Sequence, residues 1–197
     1  MKNAVGREIP EEILKLTGKD AFAGSYAKHQ KVYQAATHKV APVIDPNYSK
    51  VVDSIEEVLK KCGIKDGMTL GFHHHFREGD YVVNMVMEAV HKMGIKDLTI
   101  CATSLGKAQN AIVPMIEDGT ITNIQASGVR GKIGEAISNG KLKGLAIMRS
   151  HGGRVRAIES GETHIDISFI GAPSADDMGN CRAVGSQNGA DCGVLGY

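Results

Sequence analysis

The sequence predicts an α/β fold in which helices cover the faces of an open, mostly parallel sheet. Short apolar segments recur from residue 68 onwards, and each is followed by a turn that carries Gly, Ser or Arg. A segment with helical periodicity follows most of these turns. Strands that alternate with helices at this spacing form βαβ units, in which the strands are parallel. We therefore assign residues 49–197 to one α/β domain, a size that suits a single core.

The first 48 residues are predicted to form an N-terminal arm over the surface. They have mixed polarity and one short helical candidate, PEEILKLTG, whose proline suits the first helical position. The domain itself opens with a more regular amphipathic helix, DSIEEVLKKCG. In that segment Ser54 and Glu57 have the spacing of a capping box, and Gly63 is suited to end the helix.

The remaining elements follow in alternation. The predicted strands are MTLGF (68–72), LTICAT (98–103), ITNIQAS (121–127), GLAIMRS (144–150) and IDISFIG (165–171). The predicted helices are DYVVNMVMEAVHKMG (80–94), AQNAIVPMIEDG (108–119), GKIGEAISNG (131–140) and RVRAIESG (154–161). Pro114 is expected to disturb the second of these helices. The last 27 residues lose helical periodicity and are predicted to form a long loop that ends in the apolar segment GVLGY.

Composition excludes several classes of protein. Lys and Arg number 23 against 22 for Asp and Glu, so a formal charge of +1 gives no general attraction to nucleic acid or to an acidic membrane. No apolar segment approaches the roughly 20 residues that cross a bilayer. The four cysteines have no CxxC spacing, and the N-terminus lacks the apolar run of a secretory signal. We expect a reduced, cytoplasmic protein.

Most of the chemically distinctive residues fall in the turns that follow the predicted strands. In an open parallel sheet these turns meet at the carboxyl edge of the sheet, where ligands bind beside the N-termini of helices. Glycines allow close approach of the backbone, and helix amides attract anions. The turns read GFHHHFREG, ATSLG, ASGVRG, RSHGGR and GAPSAD, and they carry Arg77, Arg130, Arg149 and Arg154. A short, strongly anionic ligand would suit this edge.

Three interpretations are open for His73, His74 and His75. Metal binding needs converging side chains, but neighbours on an extended chain point to opposite sides, so at best His73 and His75 share a face. No HxxxH or carboxylate spacing supplies further ligands, and we predict no metal site. A solvated polar turn is the second interpretation. We favour the third, an anion site, because a ring nitrogen can donate a hydrogen bond to a carboxylate or oxyanion without permanent charge.

Two further turns are candidates for the same site. RSHGGR, residues 149–154, is either an ordinary glycine-rich turn or a second group of anion ligands. Ser150 and His151 are neighbours in sequence and no GxSxG motif surrounds the serine, so we do not predict a serine hydrolase. SGVRGKIGEAI, residues 127–137, resembles a glycine-rich loop that opens a helix but lacks a Walker or GxGxxG pattern, and it predicts backbone amides that face an anion rather than a nucleotide site.

Several of these segments together resemble one family. GREIPE, GFHHHFREGDYVVNMVM, GIKDLTICATSL, SGVRGKIGEAIS, RSHGGRVRAIESGE and HIDISFIGAPSADDMGN are similar to segments of the alpha subunit of citrate lyase, its citrate CoA-transferase component. The resemblance implies a CoA-transferase fold of two similar open α/β domains, of which this sequence would supply the first.

The resemblance also implies an activity and partners. An acetyl thioester on an acyl carrier protein would become a citryl thioester with release of acetate, and a separate lyase subunit would cleave the citryl group. No cofactor would be bound directly, since the thiol belongs to a dephospho-CoA-like prosthetic group on the acyl carrier subunit. An uncovered sheet edge would favour a homo-oligomer. No nucleic acid or membrane partner is expected.

Residue roles follow from the resemblance as expectations. Arg77 and Arg154 would clamp the carboxylates of citrate, and the three histidines, with backbone amides near the glycines, would stabilise oxyanion character. The residues assigned to catalysis are His73, His74, His75, Ser150 and His151. The residues assigned to substrate binding are Gly71, Arg77, Ser127, Gly128, Arg130, Gly152, Gly153 and Arg154.

Two alternatives from other classes stay open at this point. Folds of this kind also serve as non-catalytic domains that sense anions or sugar phosphates. A metal-dependent enzyme that uses the histidine cluster would instead contain stoichiometric metal.

Overall fold

The computed structural model describes residues 1–23, 49–73, 81–172 and 174–182. The chain divides into two compact units, Met1–Val40 and Ala41–Tyr197. The predicted boundary at residue 48 lies outside the described residues and stays a prediction. In the described ranges no helix is long and apolar enough to cross a membrane.

The first unit contains one short helix in its described part. Helix α1 (Glu11–Thr17) has no buried residue. Pro10 is its N-cap, one position before the first helical position, which is the one that the sequence predicted for Pro10. Gly18 ends α1 with a left-handed backbone (φ 62°), and its N–H donates to the carbonyl of Leu14. Glycine adopts this conformation at little cost.

The second unit contains all five predicted strands, in the predicted alternation with helices. Its elements are α2 (Ile55–Lys61), β1 (Thr69–His73), α3 (Val82–Lys92), β2 (Leu98–Ala102), a 3₁₀ helix (Lys107–Ile112), α4 (Val113–Glu117), β3 (Ile121–Ala126), α5 (Gly131–Ser138), β4 (Ala146–Met148), α6 (His151–Glu159), β5 (Ile167–Ile170), β6 (Ser174–Ala175) and β7 (Cys181–Arg182).

The main sheet is open and parallel, which confirms the predicted fold class. Its five strands have the order β4-β3-β2-β1-β5, and all four pairings are parallel. The first four strands progress in one direction across the sheet, and the connection through α6 then returns the chain to the far side of β1. The order of strands therefore reverses beside β1, where open α/β sheets commonly bind ligands.

The hydrophobic core lies between one face of the sheet and helices α2 to α5. The interior residues of β1, β2 and β3 alternate between this core and the opposite face, as the pleat of a strand requires. Residues that are fully buried in the core include Leu59, Leu70, Val90, Ile100, Ile116, Ile124 and Ile133. Each such side chain stabilises the fold by roughly 1.5 to 3 kcal/mol through burial.

The opposite face of the sheet is polar, which is unusual because parallel sheets are normally apolar on both faces. Cys101 of β2 and Gln125 of β3 occupy the alternate positions. Together with Arg154 of α6 they line a small cavity on this side of the sheet.

Three elements differ from the predictions. The helix over residues 108–119 is divided into the 3₁₀ helix and α4, because Pro114 falls in the first turn of α4 and cannot donate a backbone hydrogen bond. Helix α6 begins at His151, three residues earlier than predicted, since Ser150 caps it. The predicted C-terminal loop contains the antiparallel pair β6 and β7. Its final segment GVLGY lies outside the described residues.

Candidate functional site

Four polar residues follow one another across the carboxyl edge of the sheet. The last residues that pair in register across β1 to β4 are Phe72, Ala102, Ala126 and Met148. The next residues along the four strands are His73, Thr103, Ser127 and Arg149. We call these four residues the edge row. Backbone hydrogen bonds from Thr103 N–H to Phe72 O (3.3 Å), from Ser127 N–H to Thr103 O (2.9 Å) and from Arg149 N–H to Ala126 O (2.9 Å) hold the row together.

The edge row places His73, the first histidine of its cluster, and Arg149, the first residue of RSHGGR, at the same edge of the sheet. They lie three strand spacings apart, or roughly 14 Å. At this distance the side chains of His73 and Arg149 interact only through groups or a ligand that lie between them. Thr103 and Ser127 occupy the two intervening positions.

His73 is the one predicted histidine of its cluster within the described residues. Its Nδ1 lies 2.7 Å from Oγ1 of Thr103, and the threonine is 3% exposed. The imidazole is half-buried and ends β1. His74, His75 and Arg77 lie outside the described residues, and their roles stay predictions.

Gly71 lies within β1 rather than in the turn after it. A Cβ atom at this position would approach Cγ2 of Ile165 to 2.8 Å and Oγ of Ser168 to 3.2 Å. Close packing of the segment before β5 thus accounts for this glycine without a ligand. Its assignment to substrate binding is not tested by this contact.

The turn before α5 places Ser127 and Gly128 at the edge and Arg130 on the surface. Oγ of Ser127 is buried and has no hydrogen-bond partner among the described residues. The Arg130 N–H donates to the carbonyl of Leu105 at 2.9 Å, and the Lys132 N–H donates to Oδ1 of Asn110 at 3.1 Å. Two of the amides expected to face an anion are therefore already used within the protein.

The turn before α6 is shorter than the sequence suggested. Ser150 is the N-cap of α6, and its Oγ accepts a hydrogen bond from the Gly153 N–H at 3.1 Å. His151 and Gly152 are exposed at the start of the helix. The described contacts thus give Ser150 a capping role.

Arg154 points into the protein. It is 5% exposed, and its Nη2 donates to the carbonyl of Cys101 at 3.4 Å. Burial raises the pKa of the Cys101 thiol, although the nearby Arg154 charge opposes this shift. In this conformation the guanidinium group contacts the polar face of the sheet instead of its carboxyl edge. The predicted role of Arg154 as a clamp for citrate stays untested.

Arg149 is part of a hydrogen-bonded network that the sequence analysis did not identify. Its Nη1 donates to Oε1 of Gln125 at 2.8 Å, and its Nη2 donates to Oε1 of Glu162 at 2.7 Å. Thr163 also donates to Gln125 at 2.7 Å, and Arg156 donates to the second oxygen of Glu162 at 2.6 Å. Hydrogen bonds from the two arginines lower the pKa of Glu162. The network ties the ends of β3 and β4 to the segment before β5.

Thr103 is the residue of the site that sequence reasoning missed. The turn ATSLG was recognised as one of the edge turns, but no residue in it was selected. Its position, at the last residue of the predicted strand that follows the histidine strand in the sequence, was the available signal. Within the described ranges, no three His, Cys, Asp or Glu side chains are arranged to hold a metal ion.

An open parallel sheet with imidazole, hydroxyl and guanidinium groups after four adjacent strands is typical of α/β proteins that bind a small polar ligand at the carboxyl edge. Comparison with known proteins identifies the family within this class. Residues 48–197 match the family described as "Citrate lyase, alpha subunit (CitF)". The chain belongs to this family, which confirms the resemblance seen in the sequence.

Individual relatives support the same assignment. The chain is 42% identical over 182 residues to the citrate lyase alpha chain of Haemophilus influenzae, covering 92% of this chain and 36% of that one. It is 46% identical over 148 residues to the citrate lyase alpha chain of Escherichia coli, covering 75% of this chain and 29% of that one. The chain therefore spans about a third of the length of the curated relatives that it matches.

A solved structure is similar over nearly the whole chain. It is the putative alpha subunit of citrate lyase from Streptococcus mutans in complex with citrate, with 43% sequence identity and a TM-score of 0.74. The match covers 95% of this chain and 36% of that structure. This similarity agrees with the α/β fold described above.

Proposed function

We propose that the chain forms the N-terminal part of a citrate CoA-transferase, the component of citrate lyase that converts an acetyl thioester and citrate into a citryl thioester and acetate. The observation that carries the proposal is the edge row, which lies at the carboxyl edge of the sheet in a chain of the citrate lyase alpha subunit family. The citrate bound to the Streptococcus mutans relative supports the choice of substrate.

The exchange requires two acyl transfers. A carboxylate oxygen of citrate attacks the acetyl carbonyl, the C–S bond breaks, and the products are a mixed anhydride and a thiolate. The thiolate then attacks the citryl carbonyl of the anhydride, the C–O bond breaks, and acetate leaves. Both steps place negative charge on a carbonyl oxygen, so fixed hydrogen-bond donors accelerate them.

The edge row offers donors of two kinds for this chemistry. His73 presents an imidazole at the end of β1, where the order of strands reverses. The buried hydroxyl of Ser127 lies after β3, two strands away from β1. Citrate is essentially a trianion at neutral pH, so its spectator carboxylates need cations. We assign this clamping role to Arg77 and Arg154, and each charge-assisted bond formed away from water contributes about 1.5 to 3 kcal/mol.

Arg154 can act in this role in one of two ways. Its guanidinium group either contacts citrate after the start of α6 moves, or it acts from its buried position by adding positive potential beneath the edge. The 5% exposure of Arg154 favours the second mode. At short range in a poorly solvated site such a charge still attracts a carboxylate.

The proposal includes partners that act on the same thioester. The thiol is that of a dephospho-CoA-like prosthetic group carried by the acyl carrier subunit, and a lyase subunit consumes the citryl thioester. No directly bound cofactor is required by the two acyl transfers. We expect the reaction to occur in the cytoplasm, as the cysteine pattern suggests.

A non-catalytic anion or sugar-phosphate sensor with the same fold is the alternative. Membership of the citrate lyase alpha subunit family favours the transferase. A thioester exchange assay separates the two, with the acetylated acyl carrier subunit, citrate, and this chain supplemented by the remaining segment of an alpha subunit. The transferase forms citryl thioester and releases acetate in equal amounts, only when citrate is present. Absence of exchange with the supplemented chain would contradict the proposal.

A further inference from the structure

The strongest unassigned feature of the molecule is the contact between Thr103 and His73. The two heteroatoms, Oγ1 and Nδ1, are 2.7 Å apart, and the threonine is almost completely buried. Backbone hydrogen bonds on both sides of Thr103, to Phe72 and from Ser127, fix its position between β1 and β3. A short contact from a rigid residue constrains the orientation of the imidazole ring.

The question of which atom donates the hydrogen in this contact selects one tautomer of the neutral imidazole ring. Either the threonine hydroxyl donates to an unprotonated Nδ1, or a protonated Nδ1 donates to the hydroxyl oxygen. In the second case the hydroxyl hydrogen needs another acceptor, and within the described residues the hydrogen bond of Oγ1 is the one to His73. A buried donor without an acceptor costs roughly 1 to 3 kcal/mol. The first arrangement is therefore favoured, and it places the ring proton on Nε2.

We propose that Thr103 is a positioning residue that holds His73 in the Nε2–H tautomer. This inference rests on the proposed function, in which His73 donates a hydrogen bond at the ligand-binding edge. A neutral imidazole has one N–H, so the tautomer decides which ring nitrogen can donate. Thr103 accepts no proton and touches no reacting atom in this account. It makes the nitrogen remote from the threonine the donor.

The role predicts different behaviour for two substitutions at this position. Thr103→Ser keeps the hydroxyl, whereas Thr103→Val has nearly the same shape and removes it. The valine also suits a buried site, so the fold is expected to survive. Thr99→Val is a matched control, because Thr99 lies in β2, four residues before Thr103 and away from the contact.

The test is long-range ¹H–¹⁵N correlation NMR of histidine side chains in the full chain, with His73 assigned from the spectrum of a His73→Asn variant. Spectra are recorded near pH 8, where an imidazole with the usual pKa of about 6.5 is neutral. We expect the spectral pattern of the Nε2–H tautomer in the wild type, in T103S and in the control variant T99V. In T103V we expect loss of this preference and a mixture of tautomers.

Citrate titration of the same samples tests the functional consequence. We expect T103V to bind citrate about five- to tenfold more weakly than the wild type, which corresponds to losing about one hydrogen bond, while T103S and T99V change less than twofold. An Nδ1–H pattern in the wild type, or a T103V spectrum identical to that of the wild type, would overturn the inference.

The two readouts separate this inference from the proposed function. If the tautomer depends on Thr103 as expected and citrate leaves the His73 signals of the wild type unchanged, the positioning role stands and the citrate role of His73 is wrong. If citrate shifts these signals in the wild type and equally in T103V, the positioning role is wrong and the citrate role of His73 stands.

Discussion

Arg149 and Glu162 join the end of β4 to the segment before β5 through a hydrogen-bonded ion pair with an N–O distance of 2.7 Å. The same guanidinium group donates to Gln125 of β3 at 2.8 Å. The Arg149 side chain is 17% exposed and the Glu162 side chain is 45% exposed, so water competes weakly at the arginine and more strongly at the carboxylate. The pair is therefore more than a surface contact, because it connects three elements at the carboxyl edge.

Replacement of Arg149 by methionine should destabilise the second unit. The substitution keeps most of the aliphatic stem and removes both hydrogen bonds, so we expect a loss of about 1 to 3 kcal/mol in the free energy of unfolding. Urea unfolding of wild type, R149M and R149K measures it, and R149K should recover part of the loss through a single bond. Equal stability of R149M and the wild type would show that the network is not coupled to folding.

Acid should weaken the fold through Asp118, at the opposite edge of the sheet. Partial burial acts to raise the pKa of this carboxyl group, but hydrogen bonds from Lys96 and Thr120 outweigh it and lower the pKa from 3.8 to about 2. Because the folded pKa lies below the unfolded one, the stabilisation is complete above about pH 4 and is lost as the pH falls towards 2. The side chain is 35% exposed, which limits the contribution to about 1 kcal/mol.

The measurement is the difference in unfolding free energy between pH 5 and pH 2 for the wild type and for Asp118→Asn. The variant keeps an oxygen acceptor and lacks the titrating group, so its acid-dependent loss should be smaller by about 1 kcal/mol. His91, whose Nδ1 lies 3.3 Å from the carboxylate, belongs to the same cluster. An equal loss of unfolding free energy in both proteins would assign the acid sensitivity to other groups.

The fold was predictable because its signals are local. Apolar segments of strand length, capping residues such as Ser54, and glycines after helices each act over a few residues, and they gave the elements in their correct order. The location of the site at the carboxyl edge then followed from a general property of parallel sheets. Pro114 likewise acts within one turn, and the interruption predicted there is observed.

The details of the site depend on contacts that no local pattern encodes. Thr103 and His73 are 30 residues apart in sequence, and Arg149 and Gln125 are 24 apart. These pairs form because β2 lies beside β1 and β4 beside β3, an order that alternation of elements alone does not specify. The inward direction of Arg154 was missed for a related reason, since the two glycines before it suggested a turn, whereas the Ser150 cap starts the helix there.

Two glycines assigned to substrate binding should respond in opposite ways to alanine. Gly71→Ala places a Cβ 2.8 Å from the Ile165 side chain in a buried strand, and we expect a loss of about 1 to 3 kcal/mol. Gly152→Ala meets no atom within 4 Å and lies inside α6, so stability should stay the same or rise by up to about 1 kcal/mol. Thermal unfolding of both variants provides the comparison.

The pair also separates packing from ligand binding. If G152A is stable and binds citrate more weakly, the backbone of Gly152 approaches the ligand as the sequence analysis expected. Partial rescue of G71A by Ile165→Val would confirm that Gly71 is required for packing. A G71A protein as stable as the wild type would contradict the close approach of Ile165.

Ser150 should contribute to stability as a helix cap, whatever its role in the reaction. Ser150→Ala removes the acceptor of the Gly153 N–H, and such substitutions cost about 1 kcal/mol. Ser150→Asn supplies another capping acceptor without adding a charge beside the proposed citrate site, and it should restore stability while it removes the hydroxyl. Unfolding and thioester exchange of both variants decide between the roles. Exchange that follows stability in both variants would limit Ser150 to capping, whereas loss of exchange in a fully stable S150N would assign the hydroxyl a direct part in the reaction.

Arg77 carries the sharpest prediction for substrate binding. If its guanidinium group clamps a spectator carboxylate equally in the ground state and the transition state, Arg77→Ala should raise the KM for citrate by roughly 10- to 100-fold and leave kcat nearly unchanged. The exposed Arg7→Ala is a control for loss of one positive charge. Steady-state exchange kinetics over a range of citrate concentrations, with the acetylated carrier saturating, give both constants. A fall in kcat at constant KM would mean that Arg77 acts only on the transition state, and unchanged constants would remove it from the site, leaving the clamping role to Arg154 beneath the edge row.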